Sequence, residues 1–192
     1  MDSFNEVYQK ILSLVTESTQ IDLNQAYDLF SAEYEASTGV SWTRDKFMSR
    51  ARNWTFYGDE KGYVAVRNQN SGFVKLVGAA GNNKSKYKGF QQLIASGQPV
   101  WGMVDDAIKG LLLKLGFKMP NFMEKILLKK LLSTNVLGDA QLQGYAPDGG
   151  VIINYPDVGT VTKYFVGSPS YWKKLYSMKA LKDKLMGNEG NK

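Results

Sequence analysis

The stretch from residue 73 to residue 117 constrains the fold of this 192-residue chain more than any other. It begins with an apolar run at 73–80, a glycine- and lysine-rich turn at 81–89 and a helical pattern at 90–96. A second apolar strand follows at 100–104, and a second helix, at 107–115, stops at Gly116. Two neighbouring strands joined by a crossover helix are expected to lie parallel in one sheet. The pattern therefore predicts a strand–helix–strand–helix unit at the centre of the molecule.

The segments before this unit predict helices and then a meander. Helices are expected at residues 2–15, 22–39 and 42–52. Asp22 would cap the second of them with Gln25 as its capping-box partner, and Ser41 would cap the third. Short β-branched and aromatic runs at 54–57 and 63–67 lead through tight turns into the strand at 73. Such short connections predict antiparallel pairing.

The segments after the unit predict a helical insertion and a closing hairpin. The expected elements are a helix at 122–132, a loop at 135–150, strands at 151–155 and 160–166, and a helix at 171–186. Ser168 or Ser170 is the expected cap of the last helix.

These elements together predict an α+β fold in a single domain, residues 1–186. Its mixed central sheet would combine an antiparallel meander with one parallel strand pair, flanked by helices. The expected parts are a helical region at 1–52, a sheet core at 53–117, a helical insertion at 121–150, the closing hairpin and last helix at 151–186, and a frayed tail at 187–192.

The composition excludes several kinds of chemistry. The chain has no cysteine and no histidine, which removes disulfides, thiolate nucleophiles and histidine-based catalytic arrangements. Without these ligands, and without a spaced set of carboxylates, no metal site is expected. The absence of a secretory signal pattern and of a long apolar run predicts a cytoplasmic or virion location without a transmembrane segment, and no secretion.

The charge balance favours anionic partners. The formal net charge is +6, and lysines and arginines recur beside aromatic residues such as Trp42, Trp54, Tyr87 and Trp172. Basic and aromatic side chains together are typical of surfaces that bind single-stranded nucleic acid or other polyanions. A merely soluble basic domain explains the charge equally well.

The turn before the first crossover helix carries a family resemblance. It reads Lys-Tyr-Lys-Gly-Phe-Gln over residues 86–91, and the second helix ends in Gly116-Phe117. This order of elements and these sequences resemble the GCN5-related N-acetyltransferase superfamily, the acyl-CoA N-acyltransferase fold. The resemblance implies that acetyl-CoA binds at the turn and that an acetyl group passes to an amine acceptor. It implies the following cofactor-binding residues: Lys84, Lys86, Tyr87, Lys88, Gly89, Phe90 and Gln91.

The catalytic residues are less clearly indicated than the cofactor site. Leu112 stands where the family often has a tyrosine that acts as general acid, and Gln91 stands where it has a small residue. The remaining catalytic candidates are Glu33, Tyr155 and Tyr164, although a solvated helix face is the favoured explanation of Glu33 and aromatic packing that of the tyrosines. An alternative is therefore a non-catalytic basic binding or structural protein on the same scaffold, such as a viral or virion-associated protein that contacts nucleic acid.

Overall fold

The computed structural model describes residues 21–122, 124–125 and 140–187. Over these residues the chain is an α+β protein with five helices and one seven-stranded mixed sheet. The helices are α1 (Leu23–Thr38), α2 (Arg44–Ala51), α3 (Asn83–Ala95), α4 (Asp106–Lys114) and α5 (Pro169–Gly187). The strands are β1 (Thr55–Asp59), β2 (Gly62–Asn68), β3 (Val74–Gly81), β4 (Val100–Val104), β5 (Gln141–Tyr145), β6 (Val151–Tyr155) and β7 (Gly159–Gly167).

The sheet order is β1-β2-β3-β4-β7-β6-β5. The predicted meander is confirmed, because β1 pairs with β2 and β2 with β3, both antiparallel. The predicted parallel pair is also confirmed as β3 with β4. The closing hairpin places β7 antiparallel beside β4, and β6 outside β7.

Two helical layers cover the two faces of this sheet. On the face that we call the α3–α4 face, Phe90 and Leu93 of α3 and Leu112 of α4 pack against alternate strand residues such as Val64 and Val100. The opposite face, the α5 face, has two clusters of buried residues. Helices α1 and α2 cover the cluster over β1–β3, and α5 covers the one over β4, β6 and β7. The alternation of side chains along each strand assigns them to these faces.

Two helix starts differ from the prediction. Asp22 does cap α1, but it accepts from the amide of Asn24, and the side chain of Gln25 donates to the carbonyl of Glu60 at 2.9 Å. The capping box was therefore wrong. Helix α2 begins at Arg44 behind Thr43, not behind Ser41. The reason is that Trp42 packs on Phe30, and its carbonyl accepts the hydroxyl of Tyr27 at 2.9 Å.

Helix α3 begins seven residues earlier than predicted. Asn82 caps it by accepting the amide of Ser85 at 2.8 Å, so most of the predicted basic turn at 81–89 is helical. A glycine at position 89 suggested a helix boundary, but it lies inside the helix, where close packing against β1 explains it. Helix α4 follows the prediction within one residue, with Asp105 as its cap.

The predicted loop at 135–150 contains a strand, β5, that pairs with β6 at the sheet edge. Its alternation of exposed and half-buried residues is the pattern of an edge strand, and its polar composition hid it. Ser168 is confirmed as the cap of α5, since its hydroxyl accepts the amide of Tyr171 at 3.1 Å. The helix predicted at 2–15, most of that at 122–132, and nearly all of the tail at 187–192 lie outside the described residues.

Candidate functional site

A gap between β3 and β4 is the main irregularity of the sheet. The two parallel strands are in register at only two positions, Val74 with Val100 and Lys75 with Trp101. Beyond them the register of β3 against β2 shifts, so that Leu76 and Gly78 pair with β2 while Val77 forms a bulge. Bulges increase the local twist and bend of a strand. No registered pair joins β3 and β4 beyond these two positions, and we call the region beyond them the β3–β4 gap.

Residues of β3 beside the gap keep partial exposure. Val77, Gly78 and Ala79 are only half-buried, although β3 is a central strand of the sheet. A Cβ atom built on Gly78 would meet nothing within 4 Å. At the closed end Leu76 lies over Gly102, where a Cβ atom would approach the Leu76 Cβ to 2.8 Å. The face of the sheet is thus open at Gly78.

Two helix N-termini border the carboxyl end of the gap. Helix α3 starts directly after β3, and α4 starts directly after β4 behind the cap Asp105. Asn82 satisfies the amide of Ser85, and the first helical residues, Asn83 and Lys84, are exposed. Helix N-termini carry partial positive charge and suit anions. The start of α3 is therefore electropositive, whereas Asp105 and Asp106 place two carboxylates at the start of α4.

The residues predicted to bind the cofactor divide into two sets. Lys84, Tyr87, Lys88 and Gln91 are exposed on the outer side of α3, whereas Lys86, Gly89 and Phe90 are buried. A Cβ atom on Gly89 would lie 2.5 Å from the carbonyl oxygen of Tyr57. Gly89 therefore permits close contact between α3 and β1, and Phe90 belongs to the core.

Glu33 and Lys86 form an ion pair beneath the start of α3. The Lys86 ammonium lies 2.7 Å from Glu33 Oε1, and the Gly81 amide donates to Glu33 Oε2 at 2.8 Å. The Lys86 side chain is 8% exposed. A predicted catalytic residue thus contacts a predicted cofactor-binding residue, and together they attach α1 to the end of β3.

No known protein family, curated protein or solved structure matches this chain. The geometry of its own residues therefore carries the functional argument.

Tyr155 lies on the α5 face, at the last position of β6. Burial raises the pKa of its phenol, and the nearby phenol of Tyr34 on α1 contributes to the same shift. One ion pair links α2 to the β6–β7 turn, since the Lys46 ammonium lies 3.0 Å from Asp157 Oδ2. In the sheet order, β4 and β7 lie between Tyr155 and strand β3.

Tyr164 lies on β7, which is the neighbour of β4 on the side away from the gap. Its hydroxyl donates to Asp148 Oδ2 at 2.6 Å, and the Lys109 ammonium sits 3.6 Å from the centre of its ring. The hydrogen bond to Asp148 and then burial raise the pKa of Tyr164. Tyr164 packs on the α3–α4 face, whereas Tyr155 packs on the α5 face, which α1 with Glu33 also covers, so the structure does not bring Tyr164 together with Glu33 or Tyr155.

Sequence reasoning missed the residues that shape the gap: Val77, Gly78 and Gly102. A signal was present, since small residues fill positions 78–81 directly after an apolar strand. Small residues there leave the backbone open to a ligand.

Several other aromatic and basic residues make contacts within the protein. Trp172 is buried and donates to the Gly167 carbonyl, while Lys46 and Arg50 lie over the ring of Trp42.

Within the described ranges, no group of three acidic side chains is arranged to hold a metal ion. In the same part of the chain, no helix has the length and apolar composition that crossing a bilayer requires.

Proposed function

We propose that this protein binds an acyl-CoA in the β3–β4 gap and transfers the acetyl group to an amine, as an N-acyltransferase does. The observation that supports the proposal is that the parallel pair of β3 and β4 is in register at only two positions. An extended chain with amide groups, such as the pantetheine arm, can pair with the open edge of β3 as an additional strand would.

The rim of the gap suits the phosphates of the coenzyme. The N-terminus of α3 lies at the end of β3, where exposed amides and Lys84 offer positive charge. Lys88 and Tyr87 lie on the same exposed side of the helix, with Lys88 only 3.8 Å from Asp59. Because Lys86 is buried and paired with Glu33, whereas Lys84 and Lys88 are exposed, the phosphate contacts are assigned to Lys84, Lys88 and the helix amides.

The chemistry would be direct attack of a neutral amine on the thioester carbonyl. A backbone amide on the open edge of β3 would polarise that carbonyl and stabilise the oxyanion that forms. Glu33 is close enough to the end of β3 to receive the amine proton through water. The thiolate leaves with the electron pair of the broken C–S bond and takes up a proton.

A calorimetric titration with acetyl-CoA and with free coenzyme A tests the proposal. The informative variant is Gly78→Leu, because a Cβ atom at this position of β3 would meet nothing within 4 Å and a larger side chain would occupy the space beside the gap. The matched control is Gly144→Leu on the edge strand β5, where a Cβ atom also meets nothing within 4 Å. The wild type and the control should bind with one-to-one stoichiometry, and Gly78→Leu should bind at least about tenfold more weakly.

Measurements at moderate and at high salt separate this site from general attraction of anions. Binding in a formed gap should survive high salt, because pairing with a strand edge does not depend on screening. If the wild type releases no heat with either ligand, or if all binding disappears with salt, the acyl-CoA proposal is wrong.

One observation favours a second candidate function, a non-catalytic protein that binds nucleic acid. Tyr87 is 40% exposed on α3, with the exposed lysines Lys84 and Lys88 beside it. A base could stack on this ring while the lysines contact phosphates. Tyr87→Ala should then weaken binding of a single-stranded oligonucleotide by about 1–3 kcal/mol. The control is Tyr176→Ala, which removes a similarly exposed ring on α5.

A further inference from the structure

Lys75 lies at the closed end of the gap. It is part of the last registered pair of β3 and β4, and its Cα partner across the two strands is Trp101. Its side chain crosses toward β4, with the ammonium 5.3 Å from the centre of the Trp101 ring. The side chain is therefore held over the point at which the registered pairing of the strands ends.

The surroundings of Lys75 contain cations but no paired acid. Among the described residues, none of the ion pairs includes Lys75. The residue opposite it on β2 is Arg67. Burial, and after it the charge of Arg67, lower the pKa of Lys75. The Trp101 ring favours the ammonium form and opposes this shift in part.

These features suit a reactive amine. Lysine becomes a nucleophile when burial and a neighbouring cation increase its neutral fraction. Lys75 is half-buried, so part of the residue is exposed to solvent.

We propose that Lys75 accepts the acyl group of a thioester bound in the β3–β4 gap, which makes it a self-acylation site of this protein. The inference rests on the acyl-CoA binding proposed above. The neutral amine of Lys75 attacks the thioester carbonyl carbon, a C–N bond forms and the C–S bond breaks. The sulfur leaves as a thiolate with the bonding electron pair. The nitrogen loses one proton, and the thiolate is protonated.

The experiment incubates the purified full chain with acetyl-CoA and locates acetylated lysines by peptide mass spectrometry. The variant Lys75→Arg keeps the positive charge but cannot be acylated at that position. The matched control is Lys163→Arg, because Lys163 is also half-buried on a strand of the sheet, on β7 beyond β4. A parallel arm uses N-acetoxysuccinimide, a small acylating reagent that needs no cofactor site.

We expect acetyl-CoA to modify Lys75 about tenfold or more faster than Lys163, and an excess of free coenzyme A to suppress the modification. N-acetoxysuccinimide should also acetylate Lys75 faster than Lys163. Free coenzyme A should slow this reaction less than it slows the reaction with acetyl-CoA. Acetylation at position 75 should be absent in Lys75→Arg and should persist in Lys163→Arg.

Two outcomes would overturn the inference, and they differ in what they say of the proposed function. If calorimetry shows that coenzyme A binds while Lys75 is modified no faster than Lys163, Lys75 is not an acyl acceptor and the acyl-CoA site stands. If coenzyme A does not bind, the proposed function and the acceptor role are both wrong. The small reagent then reports only the reactivity of the amine.

Discussion

The ammonium of Lys86 and the carboxylate of Glu33 are 2.7 Å apart and connect α3 to α1. The second oxygen of Glu33 accepts the amide of Gly81, so one carboxylate holds both the last residue of β3 and the first turns of α3. The position of the helix N-terminus at the gap depends on this contact.

Replacement of Glu33 should destabilise the protein. Glu33→Gln leaves the Lys86 side chain, which is 8% exposed, without its counter-charge, while the Glu33 side chain itself is 43% exposed. We expect a loss of about 1–2 kcal/mol in the free energy of unfolding, measured by urea titration. The control Glu35→Gln changes an exposed residue of the same helix and should have no measurable effect. Equal stability of the two variants would contradict a structural role for the ion pair.

Gly89 should not tolerate even a methyl group. In Gly89→Ala the new Cβ atom would lie 2.5 Å from the backbone oxygen of Tyr57, so α3 would have to move away from β1. We expect destabilisation of about 1–3 kcal/mol. The matched variant Gly110→Ala lies on α4 with nothing within 4 Å, and it should stabilise by about 0.5–1 kcal/mol. Thermal unfolding measures the melting temperatures of both variants. If both variants melted at a higher temperature than the wild type, Gly89 would not pack against β1 as described.

Because of Asp148, the free energy of unfolding should decrease at acid pH. The hydrogen bond from Tyr164, and then that from the Gly150 amide, lower the pKa of Asp148. A carboxyl whose pKa is lower in the folded state contributes stability at neutral pH that is lost as the pH falls through that pKa. In Tyr164→Phe the pKa of Asp148 should rise and the loss of stability below about pH 4 should be smaller. Carboxyl chemical shifts measured against pH test this, with Asp59 as an internal reference that should stay unchanged.

Because of Tyr171, the free energy of unfolding should decrease at alkaline pH. Burial, and then the charge of Glu124, raise the pKa of Tyr171 to about 12. A group whose pKa is higher in the folded state contributes stability that is fully present below its unfolded pKa, about 10, and is lost as the pH rises toward the folded value. Tyr171→Phe should therefore lose less stability than the wild type between those two pH values. Urea titrations at several alkaline pH values measure the difference, and parallel loss in both proteins would contradict the prediction.

Local patterns were sufficient to predict most elements. The short β-branched and aromatic runs of β1 and β2 and the tight turns that follow them predicted the meander, because such short connections allow only antiparallel pairing. Ser168 was predictable as a candidate helix cap because a cap is a contact between near neighbours in the chain. Helix α3 was misjudged because Gly89 suggested a boundary, while the reason for that glycine lies on β1.

The candidate site was predictable only in outline. The sequence indicated that α3 would begin near the end of β3, which is the region of the gap. It could not indicate that Lys86 faces Glu33, since the two residues are 53 positions apart. Likewise the separation of Tyr164 from the gap depends on β7 joining the sheet beside β4.

By itself, the sequence determined most of the helices and strands, the parallel pair of β3 and β4 and the exclusion of cysteine and histidine chemistry, because these follow from residue type and near-neighbour spacing. The tertiary structure alone decided that β3 bulges at Val77, that the registered pairing of β3 and β4 ends at Lys75 and Trp101, and which lysines stay exposed. These features depend on how distant side chains share the space between a twisted sheet and its helices, and no local pattern encodes that competition.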